Sequence, residues 1–162
     1  MQSAIYACTR PVIDPNDDTV QEVTAFHRLS NLRCQSTPQL LQFMETAVRP
    51  GTHKEGIARG FLVIILMTKV PGVQLSYQAV CAMSKAKRDE AREAFREALE
   101  DVWACGVQPN DSTLRNIVWD EQHRKCYIVD LEDCRVVDVN ATPPEFCDEE
   151  YRSWGLGEAS HE

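Results

Sequence analysis

The stretch from Ser84 to Gly106 constrains the fold more than any other part of the chain. Ala91, Ala94, Phe95, Ala98, Leu99, Val102 and Trp103 recur at helical spacing and form one apolar stripe. Arg88, Glu90, Arg92, Glu93, Arg96, Glu97 and Glu100 take much of the remaining surface and read as a solvated face, not a basic binding stripe. Glycine at 106 belongs where a helix stops and the chain turns away. The spacing therefore predicts a helix over Ser84–Cys105, half buried, that delivers the chain to a fixed point.

Beyond Gly106 the chemistry-bearing residues come in a definite order. A loop, Val107–Arg115, presents Asp111, and Asn116 comes five positions later. Apolar segments at Ile117–Trp119 and Cys126–Val129, separated by Asp120–Lys125, predict a hairpin. Its second strand runs into Asp130-Leu131-Glu132. An extended segment at Arg135–Val139 and a helix start at Thr142-Pro143-Pro144-Glu145 complete this half.

Upstream, Ser3–Cys8 reads as a short strand, Pro11–Asp18 as a loop and Thr19–Ser30 as a helix, with Val20, Val23, Phe26, Leu29 and Leu32 at helical spacing. Thr37–Met44 reads as a strand entered through a proline, and Arg49–Gly60 as a polar loop. Phe61–Met67 reads as a buried strand closed by a turn at Val70-Pro71-Gly72. No repeat or low-complexity tract interrupts the order.

Composition narrows the function classes. With 162 residues and 43% hydrophobic content, one compact domain fits and two full ones would be a squeeze. A net charge of -8 argues against nucleic acid as a partner, but leaves a nucleotide open, which needs only a few cations or a metal. The 7 cysteines are irregularly spaced with no CxxC pair, which predicts reduced, buried thiols and gives no zinc pattern. The start of the sequence has no signal-peptide pattern. Gly60–Met67 is far short of the roughly 20 apolar residues of a membrane-spanning helix, so a cytoplasmic protein without membrane contact is expected. His27, His53, His123 and His161 support no nucleophilic triad. Trp103, Trp119 and Trp154, with Met44, Met67 and Met83, read as core.

Asp111, Asn116 and Asp130 carry the chemistry. Phosphoryl transfer concentrates negative charge, which magnesium held by hard oxygen ligands can neutralise. A further carboxylate must orient the attacking hydroxyl and accept its proton. Asp or Asn alone is an ordinary loop residue. The ordered set of helix, loop Asp, Asn, hairpin and Asp-x-Glu resembles the protein-kinase-like superfamily, nearer to its aminoglycoside-phosphotransferase and choline-kinase-like branch than to ordinary protein kinases. Glu132 carries that distinction, since ordinary protein kinases have glycine there. The chain also resembles uncharacterised kinase-like proteins of fungi.

The resemblance implies an α+β fold in a single domain, with a shortened N-lobe of antiparallel sheet plus helix over about 1–72 and a minimal helical C-lobe with a hairpin over about 73–162. It implies Asp111 as catalytic base, and Asn116, Asp130 and Glu132 as magnesium ligands. It implies Glu22 as the helix carboxylate of the ATP site, with Met67 and Lys69 at the hinge after Phe61–Met67. ATP and Mg2+ are the implied cofactors, and a small-molecule or protein hydroxyl the implied substrate. The sequence departs from the pattern at Pro109, where the family has His or another polar residue. No glycine-rich loop precedes Glu22, and Tyr6 stands where the strand lysine is expected, with Arg10 a loose substitute. The chain also stops short of the helices that complete the large lobe. These departures define the alternatives: an inactive pseudokinase-like binding module, or a truncated remnant. An incomplete small lobe leaves the apolar strand Phe61–Met67 in need of a cover, for which self-association is one solution.

Overall fold

The computed structural model describes residues 15–49 and 59–157. The strand expected at Ser3–Cys8, with Tyr6 and Arg10, and most of the Arg49–Gly60 loop lie outside the described residues.

The first helix, α1, spans Asp17–Asn31. Asn16 caps it by accepting the Thr19 N–H at 2.9 Å, and Asp17 and Asp18 sit in the first turn, where the helix dipole favours anions. Ala25, Phe26 and Leu29 turn inward, but Val20 and Leu32 of the expected stripe stay about half exposed. Strands β1 (Leu40–Ala47) and β2 (Phe61–Met67) come next as an antiparallel ribbon. Period-two alternation divides this ribbon. Leu40, Ile65 and Met67 pack on the core, and Phe43 meets the His27 ring edge-on. The register sets Met44 against Ile64 and Gln42 against Leu66, so these point the other way. Met44 is accordingly exposed, not the core filler its type suggested.

Strand β3 (Val73–Gln74) and helix α2 (Tyr77–Ala82), capped by Ser76, fill a region that the sequence pattern left blank. Two residues give no strand period, and six residues are too few for an amphipathic repeat. Helix α3 spans Lys85–Ala104, with Ser84 as its N-cap, and every residue of the predicted stripe is buried. It ends as expected. Gly106 has φ +70°, and a Cβ there would meet the Val137 carbonyl oxygen at 3.0 Å and the Arg28 guanidinium at 2.9 Å.

The remaining elements are β4 (Val107–Pro109), a 3-10 turn at Leu114–Asn116, β5 (Ile117–Asp120), β6 (Lys125–Ile128), β7 (Cys134–Val136) and α4 (Asp148–Ser153). The expected loop after Gly106 thus begins as a strand that pairs with β7, while β3, β5 and β6 form a second antiparallel sheet. In the β5–β6 turn, the Asp120 carboxylate accepts the N–H groups of Gln122 and His123. The helix start expected at Thr142 is not there. Pro144 holds Pro143 extended, and the helix waits for the acidic first turn Asp148-Glu149-Glu150.

One hydrophobic cluster joins Ala25, Phe26 and Leu29 of α1 to the α3 stripe, Ile117 and Ile128 of the hairpin, and Trp103, Trp119 and Trp154. Of the six described cysteines, Cys34, Cys105, Cys126 and Cys134 are buried, Cys81 and Cys147 are exposed, and all six are free thiols. No helix among the described residues is long and apolar enough to cross a membrane. Because Gly106 needs both a positive φ and the space of a missing Cβ, Gly106→Ala should lower the unfolding free energy by about 2 kcal/mol. Urea denaturation checks this, and an unchanged midpoint would contradict it.

Candidate functional site

Strand β4 enters the loop through Pro109, whose missing N–H is tolerated because the β4–β7 ladder is only three residues long. The next residue ties the loop down. Asn110 donates its backbone N–H to the Asp133 carbonyl at 2.9 Å and its side-chain amide to the Asp133 carboxylate at 2.8 Å. Pro109 itself can offer no side-chain hydrogen bond, and Asn110 supplies this one beside it. Asn110 left no signal in the sequence, because its partner, Asp133, is distant along the chain.

Asp111 is the next residue. Its Oδ2 accepts Asn116 Nδ2 at 3.0 Å and Arg115 Nη2 at 2.8 Å, while Oδ1 takes no hydrogen bond among the described residues. Asn116 Nδ2 also donates to the Asp111 carbonyl at 3.0 Å. Asn116 is only 2% exposed, so these bonds are what allow its amide to be buried. The amide nitrogen faces Asp111, which leaves the carbonyl oxygen as the end able to meet a cation. Through the backbone, Asn116 accepts the Val129 N–H at 2.9 Å and so fixes the loop beside the end of β6.

One residue later the chain reverses its faces. Asp130 has φ +62°, a left-handed conformation that Asp tolerates better than most side chains. Leu131 is then fully buried while Asp130 and Glu132 remain exposed. The result is a cleft of about 310 Å³ lined by Asp18, Asp111, Arg115, Asp130, Glu132 and Asp133. Five carboxylates and one guanidinium meet there.

Glu22, on α1, borders the same region. Burial pushes its carboxyl above the usual 4.5, and the charges of Glu132 and then Asp130 push it further. No cation among the described residues pairs with it. Asp111 moves the other way, below the usual 3.8, because Arg115 and then Asn116 donate to its charged form. The structure thus brings Asp111, Asn116, Asp130 and Glu132 together, with Glu22 near. Met67 and Lys69 do not line the cleft, Met67 standing opposite Leu40 at the end of the ribbon and Lys69 exposed beyond it. Asp18, Arg115 and Asp133 were not expected from the sequence. Only Arg115 left a signal, its i,i+4 spacing from Asp111.

No family model matches the sequence, and no curated protein matches it. Among solved structures, the kinase PK-1 of the Cydia pomonella granulovirus superposes with a TM-score of 0.51 at 16% identity, over 79% of this chain and 41% of that one. The fold is kinase-like. The chain spans less than half the length of the viral kinase. A kinase-like fold accounts for the α+β order, small antiparallel sheets and a reduced lobe, and identity this low carries the fold alone.

The Glu22 environment has a measurable consequence. A carboxyl raised in the folded state is most compatible with folding when protonated. Stability is therefore greatest below the unfolded value of 4.5 and is lost as pH rises through the higher folded value. Glu22→Gln should raise the melting temperature at about pH 7 and change it little at about pH 4. An equal gain at both pH values would show that ionisation of Glu22 is not the cause.

Proposed function

We propose that the acidic cleft is a metal–nucleotide site of a phosphotransferase, acting in an ATP- and magnesium-dependent way on a small-molecule or protein hydroxyl. The observation that carries this reading is the convergence of Asp111, Asp130 and Glu132 on one cleft, with the Asn116 amide fastened to Asp111. All four offer hard oxygen donors, the chemistry magnesium prefers. Asn116, Asp130 and Glu132 would hold the cation. When bound, magnesium supplies the positive charge without which five carboxylates repel a phosphate.

The chain's own groups divide the remaining work. Asp111 Oδ1, left without a partner while Oδ2 is held, accepts the proton of the attacking hydroxyl. Its lowered pKa makes it a weak base that acts mainly by position. Arg115, the one cation lining the cleft among the described residues, faces the transferred phosphate. Glu132 in the third place after Asp130 favours the aminoglycoside-phosphotransferase and choline-kinase-like branch, and kinship with the fungal kinase-like proteins belongs to the same proposal. A cytoplasmic location accords with it.

The second reading, a pseudokinase-like binding module, is favoured by a specific observation. Glu22 has no cationic partner among the described residues, and Asp111 already carries an ion pair with Arg115. Under either reading, the outer face of the β1–β2 ribbon, with Leu41, Met44, Ile64 and Leu66 exposed, offers a surface for self-association. A light-scattering mass of one chain would remove that part.

Ligand-dependent melting separates the readings. Millimolar ATP with Mg2+ should raise the melting temperature of the unaltered chain and not that of Asp130→Asn, which keeps tolerance for the positive φ but loses the charge. No shift in the unaltered chain contradicts the nucleotide site. With the shift present, phosphate transfer to a hydroxyl acceptor that falls by roughly 10²–10⁴ in Asp111→Ala supports the enzyme. Absence of turnover in the unaltered chain favours the binding module.

A further inference from the structure

A second group of ligand-forming side chains lies where α1 and α3 end. Cys34 comes just after α1, while Asp101 and Cys105 are one helical turn apart at the end of α3. Donor atoms of the three lie within 4.8 Å of one another. Zinc with Zn–S of about 2.3 Å and Zn–O of about 2.0 Å sets its tetrahedral ligands about 3.5–3.8 Å apart, so the donors need shift by only about an ångström to reach that size. Cys34 Sγ stands 3.2 Å from Asp101 Oδ2, to which its thiol donates, and the Gln35 N–H donates to the same oxygen at 3.2 Å.

An independent feature points to the same place. Thr37 is 3% exposed, and its buried hydroxyl has no hydrogen-bond partner. That hydroxyl lies close enough to the Cys34 sulfur to act on it. A buried hydroxyl beside a sulfur and not otherwise engaged suits the outer support of a metal thiolate.

We propose that Cys34, Asp101 and Cys105 bind a thiophilic divalent cation of the zinc class, with water entering beside half-buried Asp101 as the fourth ligand. Two thiolates and a carboxylate against a dication leave one net negative charge. Arg28, near enough to act on Cys105 while donating to the Gly106 and Val137 carbonyls, offsets it. On binding, each S–H bond breaks heterolytically, its proton passes to solvent, and the sulfur lone pair bonds the metal. Oxidation states do not change. Without a cation, the Asp101 carboxylate accepts the Cys34 thiol proton. The soft sulfur donors separate this site from the all-oxygen cleft. Its occupation would clamp α1, which carries Glu22, to the helix end that sets Gly106.

The test adds one equivalent of Co2+ to the reduced full chain without oxygen. A sulfur-to-cobalt charge-transfer absorption is expected, displaced by Zn2+, persisting in the Cys81→Ser/Cys147→Ser double variant and absent in Cys34→Ser and in Cys105→Ser. Cobalt in the acidic cleft would give no such band. Should those two variants fail to fold, Asp101→Asn is expected to weaken Zn2+ competition about tenfold or more, and Zn2+ should raise the melting temperature of the unaltered chain. No charge-transfer band in the unaltered chain, or a band lost with Cys81 and Cys147, overturns the proposal. So does an intact mass two hydrogens light from a Cys34–Cys105 disulfide in the protein as isolated.

Discussion

The candidate site depends on one backbone contact, the Val129 N–H donated to the Asn116 carbonyl at 2.9 Å. It closes the β5–β6 hairpin at the end where the loop enters and the Asp-x-Glu segment leaves. Ile117 and Ile128, paired across the hairpin and fully buried, hold that contact in register. A slip of β6 by one residue would turn Ile128 outward and send Asp130 to the far side of the sheet. The hairpin rests on α3 through the buried Cys126 and Ile128. The long helix therefore positions the cleft without contributing a side chain to its lining.

Concentrating five carboxylates in one cleft works against folding, and Glu22, held above its usual value by burial first and then by the charges of Glu132 and Asp130, resists ionisation beside them. Local ties contain the repulsion. Arg115 neutralises Asp111, Asn110 holds Asp133, and the α1 dipole favours Asp18 in its first turn. Asp130 and Glu132 have no comparable partner among the described residues, and these are the groups on which a cation would act most strongly. The same logic applies to the cysteine cluster, where Asp101 holds a thiol proton in the absence of a metal. Each cluster is a place where one added charge would relieve several unfavourable ones.

Long-period signals were legible in the sequence and short ones were not. Helix α3 declared itself through seven stripe positions and a stop glycine, and the hairpin through two β-rich runs about a turn. Asp111, Asn116 and Asp130 could be singled out because their order between a helix end and a hairpin resembles a known family's pattern. Helix α2, strand β3 and the three-residue β4 are too short to write a period. The proline pair at 143 looked like a helix start because Pro suits a first turn, but a second Pro forces the first to be extended. Met44 and Val20 misled because apolar type was read without register. Asn110–Asp133 and Cys34–Asp101–Cys105 join residues far apart in sequence, so no local spacing could reveal them.

The central claim is that Asn116, Asp130 and Glu132 surround a common point suited to a hard divalent cation. Paramagnetic broadening of amide resonances by substoichiometric Mn2+ reports that point directly, since its reach falls steeply with distance. The amides of Asp111, Asn116, Asp130 and Glu132 should broaden first and together, and Mg2+ should restore them. Broadening that begins elsewhere on the acidic surface and leaves these four sharp would contradict the claim.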